Sequence, residues 1–260
     1  MLGARPGEDC SVGPMMKKFP MLEVLTIHLG FPRCFLCPLL AALLIILLVA
    51  TQPWRPPTFF LGDAASLADH FVAYQYEHPE LPIRIPFGAG FVTYLEALLM
   101  FGCGAICLFV FFSLGEASEG GGWPAFFFHI GCLSVMVAGD DLFSFHEKLE
   151  ALWWYGHFLL PVFFITYFSW IVLRFRGNMR SLQLGPLLLA LACLGLSECQ
   201  DRLCWSPQTV ELISPAPWDK YQAPALIEEG LKWLGFVMWS AFFVHLAFRQ
   251  LRTRVEASGK

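Results

Sequence analysis

Residues 138–152 read AGDDLFSFHEKLEAL, which places Asp140, Asp141, His146, Glu147 and Glu150 within eleven residues after an apolar run. Carboxylates and an imidazole at this density suit a divalent metal such as Zn, Mn or Fe, whose bound water can be activated to hydrolyse an ester. Carboxylates inside a membrane also relay protons or hold a coupling cation. At 100° per helical residue, Asp140 and Glu147 fall within about 20° of each other, two turns apart. His146 and Glu150 occupy an adjoining face, and Asp141 points about 100° away. Other segments carry acids of the same kind. Glu228 and Glu229 precede Lys232, Gly235 and Trp239; Glu198 and Asp201 are i,i+3 neighbours; Glu96 sits inside an apolar run.

The elements that must position these groups are membrane helices. Of 260 residues, 57% are hydrophobic and only 15% charged, with 26 Phe and 9 Trp, a composition far from that of ordinary soluble domains. A hydrocarbon core of about 30 Å takes about 20 apolar residues to cross. Six segments approach that length: 34–51, 90–114, 124–147, 157–175, 185–205 and 227–249. The fifth is the informative one. Its uninterrupted apolar part, 186–197, is twelve residues, or about 18 Å of helix, so it crosses only by taking in Glu198 and Asp201. The third is likewise too short without Asp140 and Asp141.

Basic residues in short loops favour the cytoplasm. Lys17, Lys18 and Arg33 precede the first segment, Arg174, Arg176 and Arg180 follow the fourth, and Arg249, Arg252, Arg254 and Lys260 close the chain. Six spans put all three groups on one side. The sequence therefore predicts an all-α six-helix transmembrane bundle with both termini cytoplasmic. In that orientation Glu96, Asp140, Asp141, Glu147, Glu198, Asp201, Glu228 and Glu229 all lie near the outer face. Lys148, Arg202 and Lys232 are too few to neutralise them, so some acids hold protons or a cation is bound. The metal candidates are Asp140, His146, Glu147, Glu198 and Glu228; Glu96, Asp141, Asp201, Glu229 and Lys232 complete the polar cluster.

Each feature also has an ordinary structural use. Asp140 or Asp141 suits the cap of a helix starting at Leu142, and Glu228 with Lys232 suits an i,i+4 pair. Lys148 and Glu150 read as solvated, and His129, His157 and His245 as interfacial. Trp153 to Tyr155, Trp205 and Trp218 read as an outer aromatic belt. Nine cysteines are most simply packing residues. Cys34 and Cys37 have dithiol spacing but no second such pair for zinc. A Cys199–Cys204 bridge requires the fifth helix to end before Cys204, because i,i+5 positions are about 8 to 9 Å apart.

The organisation expected is a cytoplasmic segment, 1–33, a membrane domain, 34–249, and a cytoplasmic tail, 250–260. The first apolar run is too long for a signal peptide and reads as a retained helix. Between 52 and 89, Leu67, Phe71 and Tyr74 recur at helical spacing and predict a short amphipathic helix on the outer surface. Prolines in 206–224 predict an irregular outer loop.

DDLFSFHEKL, then LRFR, then ALIEEGLKWLGFVMW resemble an uncharacterised family of polytopic bacterial membrane proteins with DD-x-F-x-x-HE and EE-x-x-K-x-x-G blocks. The resemblance covers 131–249 and matches Asp140, Asp141, Phe143, His146, Glu147, Glu228, Glu229, Lys232 and Gly235. It implies an inner-membrane location and no particular activity. Ceramidase-like hydrolases need three zinc histidines, and di-iron bundles need paired Glu-x-x-His; neither pattern is met. Three functions follow from the residues: a metal site acting on a lipid or small ester, proton- or cation-coupled transport, and a structural or assembly role. The bilayer is the expected partner, and no nucleic acid is.

Overall fold

The computed structural model describes residues 33–51, 90–115, 122–143, 145, 149, 156–180, 182–203 and 222–258. Among these the chain is all helical, without a strand. A 3₁₀ turn, Arg33–Phe35, leads into α1 (Leu36–Thr51); then come α2 (Phe91–Leu114), α3 (Trp123–Phe143), α4 (Gly156–Arg174), the single turn α5 (Arg176–Met179), α6 (Gly185–Leu203) and α7 (Gln222–Ser258). Each of the six apolar segments holds one of these helices. Among the described residues, three helices are long and apolar enough to cross a membrane: α2, α3 and the 226–257 stretch of α7.

Helix α2 buries Val92, Thr93, Glu96, Ala97, Met100, Cys103, Gly104, Cys107, Val110 and Leu114, three or four residues apart along one stripe. That stripe packs against α3 and α7. Gly115, at φ 70°, ends α2 with its N–H on the Phe111 carbonyl, a backbone form that costs glycine little. The chain then returns as α3, and the pair crosses at two glycines. A Cβ on Gly104 would stand 2.7 Å from Val135 Cγ2 and 3.0 Å from the Gly131 carbonyl oxygen. One on Gly131 would stand 2.8 Å from Leu108 Cγ. Small residues are how membrane helices bring their backbones together.

Helix α7 is the hub, packed on α1, α2 and α6. Phe126, Phe127, Phe175, Phe242 and Phe243 form the aromatic core at the end where α3 begins. Trp233 donates its indole N–H to the Ala42 carbonyl at 3.3 Å and ties α7 to α1. Ser197 on α6 donates to the Glu228 carbonyl at 3.0 Å.

Three expectations change. Asp140 and Asp141 do not cap a new helix; both lie in the last turn of α3, which continues through them. The loop expected to end at Pro224 gives way to helix at Gln222, because proline in a first turn forfeits only an N–H that has no intrahelical partner. Helix α7 also runs nine residues past Arg249 to Ser258, with Arg252 and Glu256 paired at 2.8 Å on its exposed end. Helix α6 extends to Leu203 and so contains Glu198 and Asp201, as its length requires. The outer amphipathic helix, the 206–221 loop, Cys204 and the N-terminal 32 residues lie outside the described residues.

Candidate functional site

The start of α2, the end of α3 and the early turns of α7 meet at one end of the helices. Antiparallel pairing of α2 with α3 places Glu96, in the second turn of α2, beside Asp141, in the last turn of α3. Lys232 arrives from α7, about 15 Å along that helix from its start. Its Nζ lies 2.9 Å from Asp141 Oδ1, 3.1 and 3.4 Å from the two oxygens of Glu229, and 3.8 Å from Glu96 Oε2. One ammonium therefore stands among three carboxylates drawn from three helices.

Burial grades the four groups. The Glu96 side chain is 0% exposed, Asp141 9%, Glu229 15% and Lys232 22%. Neither oxygen of Glu96 and not Oδ2 of Asp141 has a hydrogen-bond partner among the described residues. Among the described residues, three carboxylates against one ammonium leave a formal charge of −2, and a charge withdrawn from water is costly unless it is paired. The arrangement can orient Lys232, bind helices to one another and accept further positive charge. Lys232, already counted among the basic residues of the sequence, offsets only part of the acid excess here.

Below this cluster the interior continues polar in a thin thread. Trp239 Nε1 donates to Ser134 Oγ at 3.0 Å, and Ser134 Oγ lies 3.9 Å from Cys103 Sγ. Ser240 Oγ lies 3.4 Å from the Leu99 carbonyl and 3.8 Å from Met100 Sδ. At the opposite end of α3, His129 Nδ1 and Tyr167 Oη share a hydrogen bond of 2.8 Å, edge-on to Trp170.

The structure sorts the candidate residues differently from helical-wheel reasoning. Asp141, expected about 100° from the working face, is the aspartate that reaches Lys232. Asp140 instead lines a separate cleft of ≈ 350 Å³ with Phe101, Met136, Phe143, Phe145 and Phe164. The reason is the position of α7: it lies on the Asp141 side of α3, and α4 on the Asp140 side. Lys232 pairs with Glu229 at i,i+3 rather than with Glu228 at i,i+4. Glu228 is half-buried and held through its carbonyl by Ser197, and the Glu198 side chain is exposed. Among the described residues, no three His, Cys, Asp or Glu side chains converge so as to hold a metal ion. His146, Glu147, Lys148, Glu150 and the side chains of Asp201 and His157 lie outside the described residues.

Composition did not distinguish the Trp239–Ser134–Cys103 thread from packing. The only trace of it in the sequence is that Glu96, Met100, Cys103 and Cys107 recur on one face of α2.

Membrane-capable helices joined at one end by a buried lysine–carboxylate cluster define the class of this protein. Over residues 36–246 the chain matches a family described as a domain of unknown function (DUF8692), and it belongs to that family. The match takes in α1 and α2, well upstream of the blocks that carried the resemblance, and so includes Glu96 as well as Asp141, Glu229 and Lys232. No curated protein matches the chain, and no solved structure does.

Proposed function

We propose that this is a six-span protein of a bacterial inner membrane, with both termini cytoplasmic, whose working centre takes up a cation at the outer end. The centre is Glu96, Asp141, Glu229 and Lys232, and the cation is a proton or a small monovalent ion. The observation that carries the reading is Glu96: a carboxyl with no exposed surface and no hydrogen-bond partner among the described residues, 3.8 Å from the Lys232 ammonium. A group placed only to fasten helices would have its acceptors used, since hydrogen bonds between membrane helices average only about 0.6 kcal/mol each. An unused acceptor beside a net negative charge instead suits an occupant that comes and goes. Uptake would relieve the repulsion among three helices and so couple occupancy to their packing.

Proteoliposomes loaded with a pH-sensitive or sodium-sensitive dye test this. Wild-type protein is expected to pass protons or sodium faster than empty vesicles, and E96Q to lose that rate while keeping its melting temperature. Rates equal to empty vesicles for both ions, or an E96Q rate equal to wild type, would overturn the reading and leave an assembly role.

The cleft beside Asp140 supports a second reading. With helical spacing carried past Phe143, Asp140 and Glu147 would share a face, and a divalent metal held by Asp140, His146 and Glu147 would sit against an apolar surface able to take a lipid or small ester. Metal analysis of wild type against H146A/E147A decides it: a stoichiometric Zn, Mn or Fe lost in the variant supports the site, and equal trace metal in both removes it.

A further inference from the structure

Toward the end of α3 remote from Lys232, the 2.8 Å hydrogen bond between His129 Nδ1 and Tyr167 Oη joins α3 to α4. Neither side chain makes another hydrogen bond among the described residues. His129 lies six residues into α3 and Tyr167 seven residues before the end of α4, so the bond sits about 9 to 10 Å along the helices from that end. Whichever nitrogen carries the imidazole hydrogen, the pair has one donor left over. If Tyr167 donates to Nδ1, the Nε2–H remains; if Nδ1–H donates to Oη, the phenol hydrogen remains. The bond is only part-buried. Beside it, Phe163, Tyr167 and Trp170 stand in file on α4 at i, i+4 and i+7, their successive ring centroids 5.7 and 5.9 Å apart and their planes inclined by only 18° and 7°. Trp170 also meets the His129 ring edge-on at 4.9 Å. Phe128 is 39%, Phe163 40% and Trp170 45% exposed, so this flank is turned away from the core.

In hydrocarbon a polar pair with a spare donor is costly until that donor is met. Aromatic side chains of an interfacial belt keep their polar tips toward the headgroups; the Tyr167 hydroxyl turns instead to His129. From this we infer a binding site for an isoprenoid quinone on the shared flank of α3 and α4. The occupant follows from what the site lacks. A planar conjugated ring lies against the file of Phe163, Tyr167 and Trp170, and one of its carbonyl oxygens accepts the spare hydrogen of the His129–Tyr167 pair. The ligand carries no charge, because neither His129 nor Tyr167 supplies a permanent counter-charge, and its apolar tail lets it arrive through the bilayer. A phospholipid chain offers neither ring nor acceptor at that depth. Binding makes and breaks no covalent bond. His129 and Asp141 are about 18 Å apart along α3, so the site depends neither on cation uptake at Lys232 nor on a metal at Asp140.

Full-length protein in phosphatidylcholine nanodiscs is titrated with a benzoquinone and with a naphthoquinone, each carrying two isoprene units and isotope-labelled at its carbonyl carbons. Retention above that of empty discs gives the affinity, and the infrared carbonyl band reports hydrogen bonding. The expected result is saturable retention of one quinone per chain for at least one of the two, with its carbonyl band at lower frequency than in empty discs. H129F/Y167F is expected to abolish that shift, and W170A to weaken the affinity about fivefold, as loss of a stacked aromatic contact does. F109L, at an exposed phenylalanine of α2 outside the ladder, is expected to change neither. Melting curves establish that each variant is folded. Retention of both quinones that rises without saturating, as partition into lipid alone gives, overturns the proposal. So does a folded H129F/Y167F protein that keeps the shifted band. Should the double variant fail to fold, W170A decides through the affinity: weaker saturable retention supports the site, and unchanged retention refutes it.

Discussion

Lys232 is the residue on which the polar end of the molecule depends. It meets Asp141 at 2.9 Å and Glu229 at 3.1 Å, and it lies 3.8 Å from Glu96. Replacing it leaves three carboxylates facing one another in a poorly solvated place. K232M is therefore expected to destabilise the protein by about 3–5 kcal/mol, the usual cost of removing one partner from a buried pair. Thermal melting in detergent measures it, and D141N added to K232M is expected to recover part of the loss by removing a charge that has become unpaired. Recovery by E228Q instead would mean that Lys232 pairs with the neighbouring glutamate. Asp140 provides the contrast: it is not among the groups around Lys232, so D140N added to K232M is expected to recover none of the loss.

Among the elements, α2 and α3 form the closest pair, and the two glycines at their crossing make that possible. An added Cβ at Gly131 meets the Gly104 carbonyl at 3.1 Å as well as Leu108 Cγ at 2.8 Å. Side chains can turn aside, but a carbonyl inside a helix cannot. G131A and G104A are expected to cost about 1–3 kcal/mol each, the range for overpacking a filled interface. G139A is the control, since nothing lies within 4 Å of a Cβ there. Equal melting temperatures for G131A and G139A would show that the pair does not cross where described. Because the crossing sets the height of Glu96 against Asp141, G131A should also weaken whatever occupies the polar end.

For the whole molecule, the decisive quantity is the number of crossings. Among the described residues, three helices are long and apolar enough by themselves, while Leu36–Thr51, Leu159–Arg174 and Gly185–Gln200 are shorter apolar helices. Six crossings return the chain to the side on which it began. Tags at Met1 and at Lys260 are then expected to be accessible only after the inner side of right-side-out vesicles is opened. Tags on opposite sides would mean an odd number of crossings and would move the acids relative to the two faces. At this scale α6 matters most: its 19 residues give about 28 Å of helix only because Glu198 and Asp201 are within it.

Helix existence was legible in the chain because burial in apolar surroundings leaves composition and length as the main variables. The six apolar runs read from residue types each contain a helix, and the length argument on 186–197 called for Glu198 and Asp201 to be helical, as they are. The presence of an acid excess needed only counting. Which acid meets Lys232 was not legible, because a wheel gives angles about one axis and says nothing of where the next helix stands. Asp141 became the partner of Lys232, and Asp140 the edge of a cleft, through the placement of α7 and α4 on opposite sides of α3. The same holds for Cys103: in sequence it is one of nine cysteines, and only the approach of Ser134 and Trp239 from two other helices gives its sulfur a polar surrounding. Residue types decided that this chain forms helices long and apolar enough to cross a membrane. Contacts between helices far apart in the chain, enforced where Gly104, Gly131 and Gly235 let backbones close, decided which of its polar groups work together.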